Sequence, residues 1–201
     1  MLSSLVNWTV PVLEGELVRL EPLSPERDEG LWEASRDPRT WQWLSVEQPQ
    51  TREEMRAYLD AAYANQADGT EVPLVTVRRE DDRVVGSTRY LALRPEHRSL
   101  EIGWTWLTPE AWGTGANVEA KLLMLGDAFE RLGCLRVELK TDARNERSRG
   151  AMAALPAQFE GVHRKQMLVR DGQRRDSAWY SVIDDEWPEV RANLLRRLGR
   201  S

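Results

Sequence analysis

The stretch from 99 to 141 constrains this chain most. It runs from an apolar segment through two glycines and a helix-like segment to a glycine stop and a second apolar segment, with no gap between them. Residues 99 to 107, SLEIGWTWL, read as a strand whose alternation places Ile102, Trp104 and Trp106 on one face and Glu101, Gly103, Thr105 and Leu107 on the other. Thr108 to Lys121, TPEAWGTGANVEAK, then carries Gly113-Thr114-Gly115 into a helix predicted from about 115 to 132. That helix spaces Leu122, Leu125, Ala128, Phe129 and Leu132 for burial, and Gly133 ends it. Residues 135 to 141, LRVELKT, form the next strand. A strand, a crossover helix and a second strand in one sheet make a parallel pair with right-handed connection. The two glycines have two readings. They are a tight turn, or they let an anion approach the unpaired N–H groups and positive dipole end of the helix.

The rest of the chain builds a sheet around this unit. Residues 17 to 23 alternate as a half-buried strand, and Ser24-Pro25 opens a helix to about 35. Thr51-Arg52-Glu53-Glu54 is a capping box ahead of a second helix, about 52 to 65. Between the helices, Trp41-Gln42-Trp43-Leu44 is either a core wall or a substrate-facing loop. Residues 72 to 77 and 84 to 93 form an antiparallel hairpin over the polar turn Glu80 to Arg83. After the crossover come a short helix, Asn145 to Leu155, two strands (about 160 to 169 and 176 to 183) around Asp171-Gly172, and a last helix opened by Glu186-Trp187-Pro188. The order β α α β β β α β α β β α specifies an α/β mixed sheet with helices on both faces, in one domain spanning 1–201.

Composition narrows the function classes. The chain has 41% hydrophobic and 30% charged residues and no apolar run long enough to cross a membrane. Its N-terminus, MLSSLVNWTVPVLEGE, lacks the pattern of a secretory signal, which gives a cytoplasmic expectation. The formal charge of −5 disfavours a broad nucleic-acid surface. Lone Cys134 sits in an apolar setting and reads as a buried thiol, and His97 and His163 stand at no metal-ligand spacing, so no metal is expected.

At this point SLEIGWTWLTPEAWGTGANVEAK, Asn145-x-x-Ser148 and Glu160-Gly161-x-x-Arg164 together resemble the GCN5-related N-acetyltransferases (GNAT), in their ribosomal-protein and amino-terminal branch. The likeness extends from LVRLEPL to Trp187. It implies the GNAT acyl-CoA N-acyltransferase fold, a central mixed, mostly antiparallel sheet, with acetyl-CoA as co-substrate, an amine acceptor such as a protein N-terminus, and a homodimer. The resemblance places the CoA pyrophosphate on the backbone of Gly113, Thr114, Gly115, Ala116 and Asn117. It lays the pantetheine arm along the backbone of Trp106, Leu107 and Thr108, gives Asn145 a hold on that arm, and puts Ser148 near the thioester sulfur. Two positions depart from the pattern. Glu110 replaces the usual Arg or Gln three residues before the first glycine, where a carboxylate repels phosphate unless it turns away. Pro156 replaces the Gly after Leu155, so the short helix is expected to end differently.

Acyl transfer to an amine needs a neutral amine, a donor for the developing oxyanion and a proton for the departing thiolate. A lysine ammonium titrates near about 10.4 and an α-amino group near about 8, so the first requires a base more than the second. A backbone N–H at the end of the 99 to 107 strand is the oxyanion candidate. Ser148 is the proton donor of choice and Tyr180 its reserve, although Ser148 also fits a helix-surface serine bonded to an earlier carbonyl. Glu101 ranks first as base, with pairing to Arg89 as its structural alternative and Glu160 as a weaker base. Two rivals remain: an acyl-CoA-binding module without turnover, and a nucleotide phosphate loop. The second fails because GTGANVEAK lacks the Gly-Lys-Ser/Thr ending.

Overall fold

The computed structural model describes residues 8–200. Eight strands form one sheet: β1 (Leu13–Glu14), β2 (Val18–Pro22), β3 (Val72–Arg78), β4 (Val84–Arg94), β5 (Ser99–Leu107), β6 (Arg136–Asp142), β7 (Gln158–Val169) and β8 (Gln173–Ile183). Their spatial order is β1-β2-β3-β4-β5-β6-β8-β7. Every neighbouring pair is antiparallel except β5 and β6, the parallel pair expected from the crossover. Five helices cover the sheet: α1 (Asp28–Ala34), α2 (Arg52–Ala67), α3 (Ala116–Gly126), α4 (Glu146–Ala154) and α5 (Trp187–Arg197).

Local sequence chemistry explains several boundaries. The Thr51 side chain accepts from the Glu54 N–H while Glu54 reaches back, so the capping box forms and fixes the start of α2. Ser24 has the extended backbone of an N-cap but makes no side-chain cap bond, and the turn begins as a 3-10 segment before α1. Two apolar layers sandwich the sheet. Leu100, Ile102, Met124, Leu125 and Leu194 pack on the α3–α5 side, and Leu31, Leu59, Val75, Val77 and Trp106 on the α1–α2 side.

That division corrects the expected strand alternation. Ile102 and Trp106 do not share a face, because Trp104 adopts φ 52° and β5 gains one residue against β4. Arg89 pairs with Gly103, yet Ser87 pairs with Trp106, so the parity of the strand inverts across the bulge. Gly86 makes this possible, since a Cβ there would lie 2.1 Å from the Trp106 carbonyl oxygen. The bulge also re-aims β5. Only Ser99–Glu101 pair with Arg136–Glu138, and beyond them β5 and β6 separate into a wedge.

Helix α3 departs from its sequence reading as well. It passes into a single π turn, Asp127–Arg131, which shifts the phase of the apolar stripe before Gly133 (φ 66°) stops it. Leu122 and Leu132 are therefore only partly buried, while Ala120 and Met124 join Leu125, Ala128 and Phe129 in the core. Two charged residues, Glu119 and Lys121, are buried on the same helix. The Glu119 carboxylate accepts from the N–H groups of Glu16, Leu17 and Val18 at 2.9, 2.6 and 2.7 Å and pairs with Arg200 at 2.6 Å, tying the start of β2 and the segment after α5 to α3.

The end of α4 overturns another expectation. Pro156 carries φ 23°, and the Ala157 N–H donates to the Met152 carbonyl at 3.1 Å, closing the helix in the manner a glycine would. Burial of Leu155 and Ala157 on either side holds the proline in that strained conformation.

Candidate active site

The wedge between β5 and β6 opens into a cavity of about 630 Å³. Its walls come from β5, the glycine loop, one side of α3, the end of β6 and the first turns of α4. Sequence reasoning places most of its candidates on this lining: Glu101, Trp106, Leu107, Gly113, Gly115, Asn117, Asn145 and Ser148 all contribute. Thr108, Thr114 and Ala116 lie beside it rather than on its surface. Ala116 is buried, and Thr108 borders a separate surface pocket beside α1.

The glycine loop has the geometry an anion site needs. Gly113 and Gly115 adopt φ 75° and 91°, conformations that a side chain would strain, and Gly115 caps α3. The first intrahelical bond is Glu119 N–H to the Gly115 carbonyl, so the N–H groups of Ala116, Asn117 and Val118 precede the hydrogen-bonded ladder. Thr114 Oγ1 donates to the Ala111 carbonyl at 2.8 Å and lies 3.4 Å from the Ala116 N–H, shaping the turn from within. Cationic groups gather nearby. Arg147 stacks over the Trp112 ring at 3.8 Å, and Arg197 lines the same end of the cavity as Leu194 and Leu155. Glu110, the residue that threatened to repel phosphate, is 3.7 Å from both Arg78 and Arg83 and lines the other pocket, away from this cavity.

Backbone groups along β5 are unequally available. The Thr108 N–H is bonded to the Val85 carbonyl at 2.8 Å, so by strand alternation the Leu107 backbone faces the wedge. Its carbonyl already accepts from Trp112 Nε1 at 2.9 Å, which leaves the Leu107 N–H as the open group there. Across the wedge, Asn145 is buried and its Oδ1 accepts from the Ser148 N–H at 3.1 Å. This cap fixes the start of α4 and leaves the other side of the amide to meet the cavity. Ser148 Oγ has no hydrogen-bond partner among the described residues, so the alternative of a serine tied to an earlier carbonyl does not hold.

Glu101 lies deeper and is 2% exposed. Its partner is Lys140, Nζ to Oε2 3.0 Å, and not Arg89. Arg89 instead pairs with Glu71 at 2.7 Å and stacks on Trp104. Burial raises the Glu101 pKa, and Lys140 offsets that only in part. A carboxylate of this kind can take a proton more readily than an exposed one. Glu160 is in the opposite state: Arg136 at 2.6 Å and Ser181 at 2.8 Å hold it, and the Arg136 bond depresses its pKa despite burial. Tyr180 is buried with its hydroxyl accepting from Arg149 at 3.2 Å and does not line the cavity.

Sequence reasoning missed Lys121, Lys140 and Arg175 on the cavity wall. Lys121 donates to Thr105 Oγ1 at 3.1 Å, and burial lowers its pKa to about 8. A signal existed for it: Lys121 follows Asn117 by one helical turn, so a loop facing the wedge brings both onto the same side. The WQWL segment divides between its two readings. Trp41 is buried against Tyr58 and Trp106, with ring centroids at 5.3 and 5.7 Å, whereas Trp43 and Leu44 line the cavity. Cys134 is buried, with its thiol pushed up to about 11 by desolvation. Among the described residues, no group of three His, Cys, Asp or Glu side chains could hold a metal ion, and no helix is long and apolar enough to cross a membrane.

Comparisons with known proteins agree with this geometry. An acetyltransferase (GNAT) domain model matches residues 18–157. A structure from T. thermophilus assigned to the acetyltransferases is 40% identical, with a TM-score of 0.86 over 95% of this chain and 99% of that one. A GCN5-related N-acetyltransferase from Brucella melitensis is 30% identical, with a TM-score of 0.86 over 92% of this chain and 84% of that one. RimL, a ribosomal L7/L12 alpha-N-protein acetyltransferase, shares the fold at 17% identity, with a TM-score of 0.76 over 87% of this chain and 95% of that one. With its splayed parallel pair, its glycine-capped helix and a family model over most of its length, the chain belongs to the GNAT family of N-acetyltransferases, which use acetyl-CoA as co-substrate and amines as acceptors.

Proposed function

We propose that the wedge binds acetyl-CoA, with the pyrophosphate over the amides from Gly113 to Asn117 and the arm between Leu107 and Asn145. The observation that carries this reading is the single cavity joining a glycine-capped helix N-terminus to a buried, cation-paired Glu101. The thioester supplies an activated acetyl group. The chain's own residues do the rest. The Leu107 N–H is the donor facing the reacting carbonyl, Glu101 receives the acceptor's proton directly or through water, and Ser148 supplies a proton to the departing sulfur.

The acceptor is a primary amine that enters past Trp43, Leu44 and Met167, which line the same cavity. A protein α-amino group is the class suggested by the RimL likeness, and its lower intrinsic pKa asks less of the base than a lysine would. Action in the cytoplasm and pairing of two copies belong to the same proposal and rest on the resemblance to that branch. Release of free CoA thiol on a panel of amines and peptides tests the reading. Turnover should depend on Glu101 and Ser148, with Ser148→Ala slowing it while acetyl-CoA binding persists. Folded protein that binds acetyl-CoA but acetylates no acceptor would instead support a module without turnover. The charge conflict at Glu110 no longer favours that rival, because Arg78 and Arg83 face the carboxylate.

A further inference from the structure

The far wall of the cavity holds a cation without a counter-ion. Arg175, on β8, is 8% exposed and lines the cavity opposite Met167 on β7. Its Nε is buried with no hydrogen-bond partner, and among the described residues no carboxylate lies within ion-pairing distance of the guanidinium. The two acids that reach it electrostatically are engaged elsewhere. Asp142 pairs with Arg144 at 2.8 Å, and Glu101 pairs with Lys140 at 3.0 Å. Burying an unpaired guanidinium is costly, and a fold that tolerates it here keeps an unsatisfied cation at the cavity wall.

The charge of the lining points the same way. Among the described residues Glu101 is the only carboxylate on that lining, against Lys121, Lys140, Arg147, Arg175 and Arg197. Arg147 stacks over Trp112 beside the glycine loop, Arg197 donates to the Ala154 carbonyl, and Lys121 donates to Thr105. Lys140 is spoken for by Glu101. Arg175 alone remains, on the acceptor side and on the same wall system as the base.

We infer that the acceptor carries a carboxylate a few bonds from its reacting amine, and that Arg175 binds that carboxylate while Glu101 receives the amine's proton. This rests on the acetyl-transfer reading above. A carboxylate fits the planar fork of a guanidinium with two parallel hydrogen bonds, and Lys140 adjacent to Glu101 keeps the base from repelling it. The carboxylate could come from a free amino acid or from an acidic side chain next to a peptide N-terminus.

Matched acceptor pairs separate these sources and test the inference: an amino acid against its amide, and an N-terminal Ala-Glu peptide against Ala-Gln. Thiol release from acetyl-CoA should favour the carboxylate member of at least one pair by about 10- to 100-fold in kcat/KM, as charge-assisted bonds do. Preference within the first pair identifies free amino acids, and preference within the second identifies peptides. Arg175→Met and Arg175→Gln should abolish the ratio through KM, leaving the KM for acetyl-CoA and turnover of the uncharged member unchanged. Equal rates within both pairs, or a ratio that survives both variants, overturn the inference. Calorimetric titration of the same pairs into the CoA-loaded protein gives a readout independent of turnover. Tighter binding of the carboxylate member that is lost in Arg175→Met supports the inference even if no acetylation is seen, an outcome that would count against the acetyl-transfer reading alone; equal binding overturns it.

Discussion

Lys121 makes a quantitative test of how the site is built. In an unfolded chain its ammonium titrates at 10.5, and in the folded protein burial lowers this to about 8. The charged form is therefore disfavoured by folding, and below pH 8 the folded state carries the full penalty. The gap between the two values corresponds to about 3 kcal/mol. Between pH 8 and 10.5 the unfolded chain binds the extra proton, so this residue makes stability rise with pH across that window. Lys121→Met keeps the volume and removes the charge. Urea unfolding at pH 7, 8, 9 and 10 should show the variant more stable than the parent by about 1 to 3 kcal/mol at pH 7, with the difference shrinking toward pH 10. Cys134, whose raised pKa works in the opposite direction above pH 9, is present in both proteins and cancels in the comparison. A variant that is no more stable at pH 7, or a difference that does not change with pH, would refute the account of Lys121 as a buried charge that costs stability.

Other outcomes follow from the geometry. Glu101→Gln should lower kcat by about 10²- to 10⁴-fold and remove the limb on which activity rises with pH through the raised pKa of the carboxyl, measured as thiol release across pH. Glu119→Ala should cost about 3 to 5 kcal/mol in thermal or urea unfolding, since three backbone amides and Arg200 lose their acceptor. Although burial opposes it, the amides of Val18, Glu16 and Leu17 with Arg200 hold the Glu119 pKa low; its contribution is present above the unfolded carboxyl pKa and is lost as pH falls through the folded one. Glu110→Gln should leave acetyl-CoA affinity within about twofold by calorimetry, because the carboxylate faces Arg78 and Arg83; tighter binding would show that its charge reaches the phosphates.

What the sequence by itself determined was local and periodic. The capping box at Thr51, the glycine stop at Gly133, the polar turn between β3 and β4, and the strand–glycine loop–helix–strand order are each written in residues a few positions apart, where backbone preference and short-range hydrogen bonds decide the outcome. Joined to the family resemblance that Asn145 and Ser148 carry, they put Gly113, Asn145 and Ser148 in one cleft, and all three line the cavity. Tertiary structure decided everything that depends on register. The bulge at Trp104 inverts the parity of β5, and no periodicity shows whether a strand will take an extra residue against its neighbour. The partner of Glu101 is Lys140 rather than Arg89, which turns to Glu71, and the isolation of Arg175 follows from Asp142 turning to Arg144. Even Pro156 took the backbone of a glycine, held there by packing on both sides. Side-chain pairing across strands and the burial of charge are properties of the assembled sheet. The chain's local pattern therefore names the site, and its electrostatics appear only when the strands are side by side.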